Sequence, residues 1–304
     1  MMKTAWVFPG QGSQSLGMGA DLVDVPTAKI RFQQAQEILG WDLAQICLNE
    51  ESKLSQTLYT QPCLYVISTI LADLMREAGL EPSVVAGHSL GEYAALYTAG
   101  VIGFEAGLSL VKRRAELMAT APPGVMVALV GFNRDRLEAE IAQISGAVIA
   151  NDNHNAQIVI SGTPEGVNTV LEKVKIRRSV PLKVSGAFHS PLMADVSVEF
   201  NQVLSATKFQ SAKVPVLSNV EPLPTTDAQT LKDRLMQQMT GQVRWREIVA
   251  RLVQEGVEEA IEIGPGMVLT NTIFKMYPAL ELKNVGSNVE IAALQTTVDQ
   301  AVVS

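Results

Sequence analysis

Short apolar runs alternate with amphipathic stretches along most of this chain, the pattern of an α/β protein with buried strands. Thr4–Phe8 predicts a first strand, followed by a glycine-rich loop. Pro62–Ala78 predicts a long apolar helix closed by Gly79, and Ser83–Ala86 a second buried strand. Glu92–Ala99 predicts a short helix that stops at Gly100, and Glu105–Met118 an amphipathic one. The break Pro122-Pro123-Gly124 ends this first run.

The period then changes. Strands are predicted at Val125–Val130, Ala147–Ala150, Gln157–Ser161 and Ser179–Val184, and helices at Asp135–Ile144 and Pro164–Lys173. That order is βαββαβ, the split unit of ferredoxin-like folds. Residues 124–186 are therefore expected to form a small ferredoxin-like insert. Residues 1–123 and 187–304 would together make the α/β core, with strands at Val214–Val220 and Glu259–Ile263 and a helix at Val243–Gln254.

Composition narrows the function. The 304 residues carry a net charge of −7 with no long basic run, which argues against a nucleic-acid partner. Two cysteines, Cys47 and Cys63, are too few for a disulfide framework or a zinc site, so a reducing compartment is expected and no metal. Met1-Met2-Lys3 leads into a strand, not a signal sequence, and no apolar run reaches the ~18 residues that span a bilayer. A soluble protein with no membrane partner follows, cytoplasmic unless an organelle houses it.

The candidate chemistry starts at Gly87-His88-Ser89-Leu90-Gly91, a G-x-S-x-G between a predicted strand and a predicted helix. That context marks a nucleophile elbow, with Ser89 raised at a helix N-terminus where free N–H groups favour negative charge. A serine nucleophile needs a base, and the chain has three histidines. His88 adjoins the nucleophile, so its ring is expected to point elsewhere. His154 lies in the polar run Asn151–Asn155 and is expected to be solvated. His189 stands where the insert rejoins the core, the kind of junction where clefts form, and is the candidate base. Asp152, Asp195, Glu262 or a backbone carbonyl could each orient it. Arg114 falls near the centre of the apolar stripe of its helix, a costly place for a guanidinium unless an anion pairs with it. The partner is either an internal carboxylate or the carboxylate of a substrate. The loop Phe8-Pro9-Gly10-Gln11-Gly12 can aim a backbone N–H at the oxyanion, with the N–H of Leu90 as second donor.

Phe8–Gln14, Gly87–Tyr93, Arg114, Gly186-Ala187-Phe188-His189 and Ile263-Gly264-Pro265-Gly266 occur in order. From residue 4 to about 275 the chain closely resembles the malonyl-CoA:acyl carrier protein transacylases, relatives of the acyltransferase domains of polyketide and fatty-acid synthases. The stretch beyond Leu280 matches nothing useful. The resemblance implies a hydrolase-like core with the insert, and an active site between them. It implies Ser89 as nucleophile, His189 as general acid/base, Arg114 as clamp on the malonyl carboxylate, and the N–H groups of Gln11 and Leu90 as oxyanion hole. It further implies that the backbone carbonyl of Gln238 orients the histidine and that Gln61 lines the site. Phe188, within the Gly-Ala-Phe-His form of the motif, implies malonyl over methylmalonyl, since its bulk crowds an α-methyl group. The substrates would be malonyl-CoA and acyl carrier protein, with no cofactor. The carrier is acidic in this pathway, and the basic cluster Lys173, Lys175, Arg177, Arg178 and Lys183 is the candidate docking patch. A polyketide carrier, a serine thioesterase and a non-catalytic binding module are the alternatives.

Overall fold

The computed structural model describes residues 2–303, with side chains to Gln295. Nine strands lie among the described residues: β1 (Thr4–Phe8), β2 (Val84–Gly87), β3 (Val125–Phe132), β4 (Ala147–His154), β5 (Gln157–Gly162), β6 (Ile176–Pro181), β7 (Val216–Leu217), β8 (Glu259–Ile263) and β9 (Glu281–Val285). Five of them form a parallel sheet in the order β7-β2-β1-β8-β9. The strand β1 sits at its centre because its side chains are apolar on both faces. Trp6 and Phe8 pack on one side, with the Thr57–Glu77 and Phe104–Ala119 helices, whereas Ala5 and Val7 pack on the other, against Trp245, Val249 and Leu252.

The remaining four strands form an antiparallel sheet in the order β4-β5-β3-β6. With helices Arg134–Ile141 and Pro164–Lys173, this is the ferredoxin-like arrangement. Alternation along β3 explains how it sits on the core. Val127 and Leu129 face the sheet's own helices, while Met126 and Ala128 join the cluster of the parallel-sheet side. Two backbone bonds stitch the units: Val243 N–H donates to Ala150 C=O at 2.8 Å, and Asp152 N–H to Val243 C=O at 2.9 Å. Asp152 reinforces the seam, accepting from Arg134 of the insert and Arg246 of the core, each at 2.9 Å.

Several boundaries differ from expectation. The last insert strand is Ile176–Pro181, three residues earlier than the apolar pattern indicates, because this edge strand is exposed and carries little apolar signal. The strand expected over Val214–Val220 contracts to Val216–Leu217. The long helix starts at Thr57, with Pro62 in its second turn. Beyond Leu280 come β9 and a helix over Asn288–Val303. No helix among the described residues is long and apolar enough to cross a membrane.

Candidate active site

The strand β2 ends in a turn that sterics restrict to glycine on both sides of the serine. A Cβ on Gly87 would lie 2.0 Å from the carbonyl of Gly91, and one on Gly91 would lie 2.0 Å from the carbonyl oxygen of Phe8. Ser89 between them takes φ 51°, a conformation rare for a side-chain-bearing residue and typical of strained functional turns. The Gly91–Thr98 helix follows directly, so the hydroxyl stands over a helix N-terminus at the carboxyl ends of β1 and β2.

His189, also at positive φ (57°), brings its Nε2 to 2.8 Å from Ser89 Oγ. Its Nδ1 faces two backbone carbonyls, Gln238 at 3.0 Å and Gly241 at 3.1 Å. Since carbonyls only accept, Nδ1 carries the proton and Nε2 turns a lone pair towards the serine, the tautomer a general base requires. Burial, and secondarily the positive charge of Arg114, lower the imidazole pKa from 6.5 to about 3, so the ring is neutral at physiological pH. None of the acids considered from sequence touches it. Asp152 is held by its two arginines. Glu262 accepts from the N–H groups of Leu269 and Thr270 at the start of the Val268–Met276 helix, and Asp195 is exposed.

Arg114 is 1 % exposed, and its hydrogen-bond acceptors are all neutral. Its Nη1 donates to Gln61 Oε1 at 2.8 Å, and its Nη2 to Ser89 Oγ at 3.0 Å and Gln238 Oε1 at 3.1 Å. The Tyr93 ring lies 5.6 Å away, a further contact that favours the cation, and Nε has no acceptor among the described residues. A cavity of about 70 Å³ opens in front of the guanidinium, lined by Ser89, His189, Phe188 and Gln61 among others. A single water needs roughly 10–15 Å³ of such space, so the cavity has room for a short acyl group.

The N–H of Leu90 and that of Gln11 are given to no other group among the described residues. The N–H of Ser89 itself is taken by Asn219 Oδ1 at 2.7 Å, while Asn219 Nδ2 donates to Gly87 C=O at 2.6 Å. This side chain, fully buried, clasps the elbow from both sides. Sequence reasoning missed it, as it missed Gly241 and the side chains of Gln238 and Glu92. No local signal marks it, since Asn219 falls within the stretch Val214–Val220 expected as a strand. His88 bonds through its Nε2 to Asn153 Oδ1 at 2.9 Å and packs edge-to-face with Trp245. His154 corrects the expectation of a solvated ring. It is 6 % exposed, because its Nδ1 accepts from Ala156 N–H at 3.2 Å and folds the imidazole under the β4–β5 turn, outside the cavity. Arg177 and Arg178 project from exposed β6, and Lys183 lines a separate cavity of about 490 Å³ beside the active one, the two sharing Val184.

Comparison with known proteins bears on this geometry. The acyl transferase domain model matches residues 5–299. A malonyl CoA-acyl carrier protein transacylase from Synechocystis is 55 % identical over 285 residues, 94 % of this chain and 97 % of that one. The crystal structure of the Synechocystis malonyl-CoA:ACP transacylase superposes with a TM-score of 0.94, covering 96 % of this chain and all of that one at 53 % identity. A malonyl-transacylase solved in complex with its type II PKS acyl-carrier protein superposes with a TM-score of 0.92 at 33 % identity, covering 97 % and 99 % of the two chains. A serine–histidine pair beside a buried arginine hydrogen-bonded only to neutral groups, on a fold shared this widely, means that the chain belongs to the acyl transferase family, among its malonyl-CoA:acyl carrier protein transacylases.

Proposed function

We propose that this chain transfers the malonyl group of malonyl-CoA to the phosphopantetheine thiol of acyl carrier protein through a malonyl ester on Ser89. Ser89 Oγ attacks the thioester carbonyl as its proton passes to His189 Nε2, and the oxyanion is received by the N–H groups of Gln11 and Leu90. The carbon–sulfur bond breaks and the departing CoA thiolate takes the proton from His189. The carrier thiol then gives its proton to His189 and attacks the ester, and Ser89 Oγ recovers the proton on leaving. One thioester replaces another, so the sequence needs no ATP, metal or cofactor. The Gln238 carbonyl holds the imidazole in its working tautomer, and each oxyanion donor is worth ~3 kcal/mol by analogy with other oxyanion holes.

The observation that carries this reading is Arg114, a buried cation bonded only to neutral groups, 3.0 Å from the nucleophile. A substrate carboxylate supplies the missing charge, and an acyl group without one leaves the guanidinium unpaired, which selects malonyl over acetyl. Gln61, which also lines the cavity, holds the guanidinium through Nη1, and Phe188 narrows the cavity against an α-methyl branch. In this reading residues 124–186 are the lobe that closes over the core of 1–123 and 187–304, and the protein works in the cytoplasm alongside its carrier. The carrier docks by its acidic surface near Arg177, Arg178 and Lys183. Intact mass after brief incubation with malonyl-CoA tests the reading. A single malonyl adduct is expected, absent from Ser89→Ala and weak with acetyl-CoA. Steady release of CoA with no adduct would make the chain a thioesterase, and neither adduct nor release would leave only a binding module.

A further inference from the structure

Glu92, the residue after the elbow, is 1 % exposed and plays no part in the mechanism above. Its Oε2 accepts from Asn219 N–H at 3.2 Å and from Gln238 Nε2 at 2.7 Å. The Gln238 side chain has a forced orientation. Its Nε2 faces two acceptors, Glu92 and the Ser89 carbonyl at 2.9 Å, while its Oε1 faces the donor-only guanidinium of Arg114. One amide thus lies between a buried carboxyl and a buried guanidinium with its dipole aligned to both; burial pushes the Glu92 pKa up, and the bonds from Gln238 and Asn219 and the charge of Arg114 oppose that and favour the carboxylate.

We propose that Glu92, reached through the Gln238 amide, is the internal counter-ion of Arg114 and sets how tightly an acyl carboxylate is held. The idea rests on the carboxylate-binding role of Arg114 given above. A cation buried with no anion in reach is expensive, yet a carboxylate in direct contact would fill the seat meant for the substrate. Separation by one amide resolves the conflict. Glu92 supports the empty guanidinium through space, leaves the cavity-facing valence open, and repels an incoming carboxylate enough to let the acyl group leave. Asn219 joins the same carboxylate to the elbow, so the counter-ion and the nucleophile share one frame.

The sign of the effect separates this from a merely structural carboxylate. In Glu92→Gln the substrate carboxylate becomes the sole anion near Arg114. The ratio of malonyl to acetyl loading on Ser89, read by intact mass against time, should rise on the order of tenfold, with a lower KM for malonyl-CoA. The double variant Glu92→Gln/Gln238→Glu keeps the net charge but moves the anion into contact with Arg114, and there the ratio should fall below that of the unaltered chain. An unchanged or lowered ratio in Glu92→Gln overturns the proposal. Should that variant fail to fold, an unchanged or raised ratio in the double variant overturns it equally. The unaltered chain is loaded in parallel: if it shows no malonyl preference, the role of Arg114 is what fails, whereas a preference there that neither variant shifts removes the counter-ion alone.

Discussion

Asp152 and Arg114, two of the buried charged groups in this molecule, are held on opposite terms. Asp152, at the seam between the sheets, is 3 % exposed and accepts from two arginines, with its backbone N–H also bonded across the seam. Arg114, in the cavity, is 1 % exposed and bonds only to amide and hydroxyl oxygens. Desolvation is severe for both, and an ion removed from water is tolerated where partners compensate it. The seam completes that compensation within the chain. The cavity leaves it incomplete, and the shortfall is what a ligand can supply. A buried charge with satisfied partners therefore reads as architecture, and one with neutral partners beside a nucleophile reads as recognition.

The largest effects expected come from removing each charge in turn. Arg114→Ala should lower malonyl loading by about 10²-fold or more and reduce the preference over acetyl to near unity, because a site that paired the carboxylate then offers it nothing. Asp152→Ala should do the reverse: stability falls by about 2–3 kcal/mol in urea melts, below the full loss for a buried pair because both arginines are part-exposed, and the malonyl preference stays. The comparison breaks if Asp152→Ala alters the preference, or if Arg114→Ala destabilises the fold and leaves the preference intact.

The next effect separates the cavity from an ordinary histidine site. An imidazole titrating at 6.5 would be about thirtyfold depleted of free base at pH 5. His189, held near 3 by burial and by Arg114, stays neutral there. Stopped-flow release of CoA during Ser89 acylation should change by less than about threefold between pH 7 and pH 5; a thirtyfold fall would show that the imidazole titrates normally. Stability moves the other way. Below 6.5 the unfolded chain binds a proton that the native ring refuses until about 3, so His189 makes the fold lose stability as pH falls through that window.

How far this contrast was legible in the sequence follows from which interactions are local. The elbow was readable because its glycines and serine are five consecutive residues whose constraint is steric. The βαββαβ order was readable because apolar alternation is local too. Arg114 announced itself by standing on an apolar stripe. The partners that decide its state did not. Glu92 and Gln238 are 146 residues apart, and Ser89 and Asn219 are 130 apart, so no window of sequence holds either pair. His154 was misread because a polar run ordinarily signals solvent, whereas here a turn N–H draws the ring inward. The β6 strand starts ahead of the expected Ser179 because Ile176 is followed by Arg177 and Arg178, which show no apolar period on an exposed edge. The strand and helix past Leu280 went unread because Glu281-Leu282-Lys283-Asn284-Val285 is polar at alternate and adjacent positions alike.

Arg177 and Arg178 sharpen the comparison from its weak end, because they are charges that water already satisfies. On the exposed β6 edge neither is desolvated, so neither is costly to the fold and neither is poised as Arg114 is. What such charges can do is act at range on an acidic partner, raising the rate of encounter and doing so less at high salt. Arg177→Glu/Arg178→Glu should therefore raise the apparent KM for acyl carrier protein several-fold, leave the KM for malonyl-CoA and the melting temperature in place, and converge on the unaltered chain as salt rises. An equal rise in both KM values would mean that these residues act on the cavity and not on the carrier, and would move docking away from β6. A rise for the carrier that persists at high salt would point to contact instead of steering. The effect is the smallest of those expected because screened surface charges contribute little each, and that smallness is itself what distinguishes β6 from the seam and from the cavity.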